Sequence, residues 1–96
     1  MTLNTELIIL PEADRDIEDI LQYTLEVWGE EQEAAYWSVL WDAFTRIRQF
    51  PEIGRPQSTE NPHIRELHLA HHTVVYRREP SQIVILRIVN LRRRRR

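Results

Sequence analysis

The chain has 96 residues, with 13 basic and 15 acidic side chains, a formal net charge of −2, two glycines and no cysteine. That length allows one compact domain, which hides about 65 % of the unfolded chain's surface, and leaves no room for a second. With 42 % hydrophobic and 29 % charged residues the chain is too apolar for disorder and too charged to span a membrane, and the missing cysteines exclude disulfide scaffolds, thiolate metal sites and cysteine nucleophiles.

No basic segment leads into an apolar core at the N-terminus, so the expected location is the cytoplasm, without membrane contact. The near-neutral total conceals a split. Residues 1–60 hold 13 acids against 4 Arg, net −9, and residues 61–96 hold 2 acids against 9 Arg, net +7. All 13 basic residues are Arg, which favours planar, bidentate contact with carboxylate or phosphate. Acidic helices covering a basic sheet would account for the split, as would an exposed basic surface for an anionic partner.

In chain order, Leu7 to Leu10 is a short apolar run stopped by Pro11, which predicts a first strand. Pro11 suits the first turn of a helix, and Ala13, Ile17, Ile20, Leu21, Leu25 and Trp28 then recur at spacings of three and four. Acids crowd the start of this segment, where the helix dipole favours them, and Gly29 ends it. A second amphipathic stripe, Ala34, Trp37, Leu40, Trp41, Phe44 and Ile47, predicts a second helix that Pro51 ends. Two helices joined at one glycine form an antiparallel hairpin. Residues 51–62 show no periodicity and are expected as a loop. Beyond His63 the pattern turns to strands: Ile64 to Leu69, Thr73 to Tyr76, a turn at Glu79-Pro80-Ser81, and Ile83 to Val89, apolar on both faces and expected as the most deeply buried strand. The predicted fold is α+β, with an N-terminal strand, an antiparallel helical hairpin and a mostly antiparallel sheet of three further strands. Residues 1–91 form the domain and the run Arg92 to Arg96 is an Arg-rich C-terminal tail.

No chemical motif stands out. His68 and His72 sit about 13 Å apart if extended on a strand, too far to share one ion, so neither a metal nor a cofactor is expected. Glu66 and His68 read as solvated strand residues, with Arg65 on the opposite face. Glycine-rich phosphate loops and nucleophile elbows are absent, which excludes hydrolase and nucleotide-kinase readings built on them. The three Trp are expected mainly in the core, an exposed one marking a partner groove.

Taken together, Pro11 to Ile20, the Trp28-Gly29 break, Pro51-Glu52-Ile53-Gly54-Arg55-Pro56, Ile64-Arg65, His72 to Arg77 and Val84 to Val89 resemble toxins of the RelE/ParE superfamily of type II toxin–antitoxin systems, the ParE-like branch in particular. The resemblance implies a strand–helix–helix–three-strand toxin that inhibits DNA gyrase, stabilises plasmids, and is neutralised in a hetero-oligomeric complex by a cognate, ParD-like antitoxin. RelE-like relatives are instead ribosome-dependent messenger-RNA interferases, and a non-toxic binding module of the same fold is a third possibility. If the chain is a ribonuclease, Arg65, His72 and Arg87 are its candidate catalytic residues. The residues after Arg87 include no His, Tyr, Asp or Glu to move a proton, and Asn90 stands where many ribonuclease relatives carry a His, so the resemblance favours binding over cleavage. For a gyrase-directed toxin the candidate target-binding residues are Arg65, Arg77, Arg78, Arg87, Arg92 and Arg93, with DNA contact through the Arg-rich end. The candidate antitoxin-binding residues are Trp28, Trp37, Trp41 and Tyr76.

Overall fold

The computed structural model describes residues 5–90. Strand β1 (Glu6–Ile9) leads into helices α1 (Pro11–Trp28) and α2 (Glu30–Gln49), followed by strands β2 (Arg55–Pro56), β3 (Ile64–His68), β4 (His72–Glu79) and β5 (Gln82–Asn90). The strands form one sheet in the order β1-β5-β4-β3-β2. All pairings are antiparallel except β1 with β5, which run parallel and place Ile8 opposite Val84. A parallel pair needs a long crossover, and the helical hairpin between β1 and the later strands provides it. The α+β expectation holds.

The helix boundaries follow from the local sequence. Pro11 opens α1, with Glu12 and Asp14 in its first turn, and the Leu10 amide is satisfied by Ile85 O at 3.1 Å. Gly29 has φ +98° and terminates one helix while starting the next. Its N–H donates to Leu25 O and its carbonyl accepts from Glu33 N–H, both at 3.0 Å. At the far end of α2 the Arg48 guanidinium donates twice to Thr5 O, at 3.1 and 2.8 Å, and ties that end to the start of β1.

Ala13, Ile17, Leu40, Phe44 and Ile47 of the hairpin pack on Val74, Tyr76, Ile83, Ile85 and Ile88 of β4 and β5. Burial of each large member contributes about 1.5–3 kcal/mol, offset mainly by chain entropy. Ile83, Val84 and Ile85 are buried in succession, as expected for the most deeply covered strand. Between Val75 and Tyr76 the β4–β5 register slips by one residue, which lets both Ile85 and Ile88 reach the same core despite their odd spacing.

The segment expected as a loop differs in one respect. Arg55 and Pro56 form a two-residue edge strand opposite Glu66 and Arg65. Two residues carry no readable period, and proline is tolerated on an edge. Among the described residues no helix is long and apolar enough to cross a membrane.

Candidate functional site

The candidate arginines divide into separate settings. Arg65 lies opposite Tyr76, and by strand alternation Arg78 occupies the same face two residues beyond it. Both meet the segment after α2. Arg65 donates through one terminal nitrogen to Gly54 O at 2.5 Å and Glu52 O at 3.4 Å, and Arg78 lies 3.7 Å from the Glu52 carboxylate. The Nε atoms of both are buried without a hydrogen-bond partner among the described residues. Such a pair of guanidinium groups, balanced by one carboxylate, retains positive charge on β3 and β4.

Arg77 alternates to the other face and is paired with Glu79 at 2.7 Å. That bond, with one from Gln82, holds the Glu79 carboxyl below its ordinary range. Arg87 is engaged by α1. Its Nε and a terminal nitrogen donate to the two Asp16 carboxylate oxygens at 2.7 and 3.1 Å, and Ile88 N–H donates to the same carboxylate at 2.8 Å. This bidentate bond raises the Arg87 pKa further, and most of its charge is answered within the chain. Arg92 and Arg93, with the expected DNA contact of the Arg-rich end, lie outside the described residues.

His72, at the opposite end of β4, shares a 2.6 Å hydrogen bond between Nδ1 and the Tyr36 hydroxyl on α2. Burial lowers the His72 pKa, as does neighbouring His71 to a lesser degree, and burial pushes Tyr36 up to about 12. His72 pairs with Asn90 and Arg65 with Tyr76, four residues and about 13 Å apart along β4. The set Arg65, His72 and Arg87 is therefore not brought to one point. Among the described residues no group of His and carboxylates could hold a metal ion.

Two further residues depart from the sequence reading. Tyr76, a candidate for antitoxin contact, is fully buried. Its hydroxyl donates to Pro51 O at 2.7 Å and accepts from Gly54 N–H at 3.0 Å, so it presents nothing to a partner and instead holds the segment after α2 on the sheet. A Thr-Val-Val-Tyr strand shows that an aromatic is packed, not on which face. Glu66, expected in solvent, is 9 % exposed and accepts from Gln57 at 2.9 Å. The edge strand β2 covers it, and that strand was not legible.

The tryptophans also differ from the core expectation, in the direction that marks a partner groove. Trp28, Trp37 and Trp41 are 66, 40 and 46 % exposed. Trp28 ends α1 beside Gly29. Trp37 and Trp41 lie one turn apart on α2 with ring centroids 5.9 Å apart, and Trp41 meets buried Phe44 edge-on at 6.1 Å. One open depression is lined by Trp37, Ser38, Trp41, Asp42 and Thr45, and an adjoining one by Ile17, Leu21, Glu33, Ala34 and Trp37. Trp37 borders both, the first lying along the outer side of α2 and the second where α2 meets α1. Sequence reasoning missed Glu33 and Asp42. Their signal was available in the helical period, which sets them beside the tryptophans.

Residues 7–95 match the model of the family described as the ParE toxin of type II toxin–antitoxin systems, parDE. The chain is 31 % identical over 75 residues to Toxin ParE1 of Mycobacterium tuberculosis, in strains CDC 1551 and H37Rv, covering 78 % of this chain and 76 % of that protein. Among solved structures, the chromosomal ParDE system from P. aeruginosa aligns at TM-score 0.75 and 21 % identity, covering 93 % of this chain and 98 % of that one. The toxin–antitoxin complex RelBE2 from M. tuberculosis aligns at TM-score 0.66 and 18 % identity over 94 % of each chain. At these identities the two structures speak for the fold.

Proposed function

The chain belongs to the ParE toxin family of type II toxin–antitoxin systems, and from that premise we propose that it arrests growth by binding DNA gyrase and is neutralised by direct binding of a cognate antitoxin. The observation that carries the antitoxin half is the exposure of Trp28, Trp37 and Trp41 on one helical hairpin. A small domain rarely leaves such rings in water without a partner to bury them, and Trp is enriched among residues that dominate interfaces.

The target half rests on the family and on the arginines that keep charge to spare. Arg65, whose bonds among the described residues go to the neutral carbonyls of Gly54 and Glu52, and Arg78, whose ion pair with Glu52 is a loose 3.7 Å contact, keep the least answered charge and are the grip we assign to the target. Arg77 and Arg87 are secondary, because Glu79 and Asp16 already answer them. Separation of Arg65, His72 and Arg87 supports gripping over cutting, since general acid–base work needs its groups within hydrogen-bond reach of one reacting centre.

Inducing the chain alone in its host tests both halves. The expected result is growth arrest with gyrase trapped on broken DNA, relieved by co-expressing the protein encoded beside it. Messenger-RNA cleavage at ribosomes with an intact chromosome would replace gyrase with the ribosome as target. Absence of arrest would leave a binding module without toxicity.

A further inference from the structure

We propose that Glu52 is an internal counter-ion that masks an arginine site for a backbone phosphodiester of DNA, and that it gives way when Arg65 and Arg78 take that phosphodiester. The role of the two arginines in target binding rests on the functional reading above; the chemistry of their ligand and the masking by Glu52 rest on the geometry around them.

Position comes first. Arg65 stands opposite Tyr76 on the neighbouring strand, and Arg78 follows two residues further along that strand on the same face. Diagonal neighbours of this kind are about 7–8 Å apart, within reach of two long side chains converging on one group. The Tyr76 hydroxyl feels all three charges: burial raises its pKa most, the Gly54 amide, Arg65 and Arg78 work against that, and Glu52 adds to it. The hydroxyl is pinned between Pro51 O and Gly54 N–H, and the Nε atoms of both arginines are buried, so the platform beneath the terminal guanidinium nitrogens is fixed.

The carboxylate is the loose part. The Glu52 side chain is 68 % exposed, and its Oε2 stops 3.7 Å from Arg78, beyond hydrogen-bond reach. Where this fold closes an arginine with an acid it does so at 2.7 Å, as at Arg87 with Asp16 and at Arg77 with Glu79. An ion pair as long and as exposed as that of Glu52 is held weakly, so displacing it costs little.

Ligand chemistry follows. A partner's carboxylate would offer the guanidinium groups what Glu52 already offers from within the chain, at the high effective concentration that a short tether gives. A DNA strand offers more, a fixed negative charge about every 3.4 Å of helix axis, carried on phosphate oxygens that guanidinium forks bind bidentately. That density of charge displaces one tethered carboxylate, and the mask thereby reserves the two arginines for DNA.

The test follows the guanidinium Nε–H resonances of the full chain by NMR. A hexathymidylate without terminal phosphates, carrying five phosphodiesters, is titrated in, and a capped penta-glutamate of equal charge serves as the comparison. The expected result is a saturable shift at Arg65 and Arg78, with the oligonucleotide bound at least fivefold more tightly than the peptide, while Arg77 and Arg87, closed by Glu79 and Asp16, shift less. Glu52→Gln keeps the backbone carbonyl that Arg65 uses and should tighten oligonucleotide binding about two- to fivefold. Arg78→Gln should weaken it by a similar factor or more with the circular dichroism of the fold retained; Arg65 is left in place because it ties down the segment after α2. Equal affinities for the two probes would replace DNA with an acidic protein surface, an unchanged affinity in Glu52→Gln would remove the mask, and equal shifts at all four arginines would mean diffuse attraction. Each of these results would overturn the masked site.

Whose phosphodiester it is, is read separately in cells. On the functional reading it belongs to DNA held by gyrase, so Glu52→Gln should arrest growth at lower induction than wild type and Arg78→Gln only at higher. If all three chains trap gyrase on DNA to the same extent, the toxin reading stands and the masked site falls. If the Nε–H shifts behave as expected and gyrase is not trapped, the site stands and its assignment to gyrase-held DNA falls.

Discussion

Gly29 and Gly54 would answer an added Cβ in different ways. Gly29 sits at φ +98° and ψ 177° with open space around a built Cβ, so Gly29→Ala costs only the strain of a backbone region nearly confined to glycine, about 1–3 kcal/mol. At Gly54 a Cβ would lie 2.8 Å from Glu66 O and 2.9 Å from both the Tyr76 ring and its hydroxyl. Neither a strand carbonyl nor a fully buried ring yields, so Gly54→Ala should cost about 3 kcal/mol and loosen the segment that Arg65 grips. Urea unfolding of the two variants checks the order; a Gly29 variant as unstable as the Gly54 one would contradict it. The same scale carries a pH prediction. His72 has its pKa lowered by burial, and then by His71, so the folded chain prefers the neutral ring. The unfolded chain takes up the proton first as pH falls below about 6.5, and stability is lost from there down to the folded pKa. Unfolding at pH 7.5, 6.5 and 5.5 should show the advantage of wild type over His72→Gln shrinking as pH falls. A constant gap would mean that the Tyr36–His72 bond does not sense the proton.

Helix α2 is one element with two apolar rows, and it shows where the sequence stops being legible. Period alone placed Trp37, Leu40, Trp41, Phe44 and Ile47 on one broad face. That face spans more than one contact, however, and only the docking of the hairpin on the sheet separates buried Leu40, Phe44 and Ile47 from half-exposed Trp37 and Trp41. The helices, the strands and the glycine between the helices were readable because each is a local pattern. The edge strand β2 and the burial of Glu66 beneath it were not, because both depend on chain neighbours far apart in sequence. The candidate site was legible in residue type more than in arrangement: Trp37 and Trp41 were named, whereas Arg87 was named without Asp16, 71 residues away. Truncations should separate the two rows. Leu40→Ala and Phe44→Ala are each expected to cost about 2–5 kcal/mol, whereas Trp37→Ala and Trp41→Ala should cost under about 1.5 kcal/mol, the exposed part of each ring having little to lose. Comparable losses at all four positions, read from thermal or urea unfolding, would show that the tryptophans serve the core and not a partner.

At the scale of the molecule, the net charges of −9 and +7 in the two parts of the chain are partly answered internally. Asp16 on α1 takes Arg87 and Ile88, and Glu52 in the segment after α2 approaches Arg78, so two ion pairs among the described residues join the acidic part of the chain to the basic part. What remains is an acid-flanked face of the helices that carries half-exposed tryptophans and, on the sheet, the guanidinium groups of Arg65 and Arg78, which carboxylates answer least. The Arg run at 92–96 adds five positive charges beyond the described residues, and it follows β5 in the chain, whereas Arg65 stands on β3. Removing it changes the formal charge from −2 to −7 while leaving both surfaces intact. Each phosphate that Arg neutralises on duplex DNA contributes about −0.9 to the slope of log affinity against log salt, so the truncated chain should lose up to ~4.5 of that slope and most of its nonspecific DNA affinity. Growth arrest and its relief by the antitoxin should persist, because the grip on the target is assigned to Arg65 and Arg78. Filter binding across a salt series, together with arrest by the truncated chain, decides the matter: arrest lost along with DNA binding would move target recognition from the sheet to the tail.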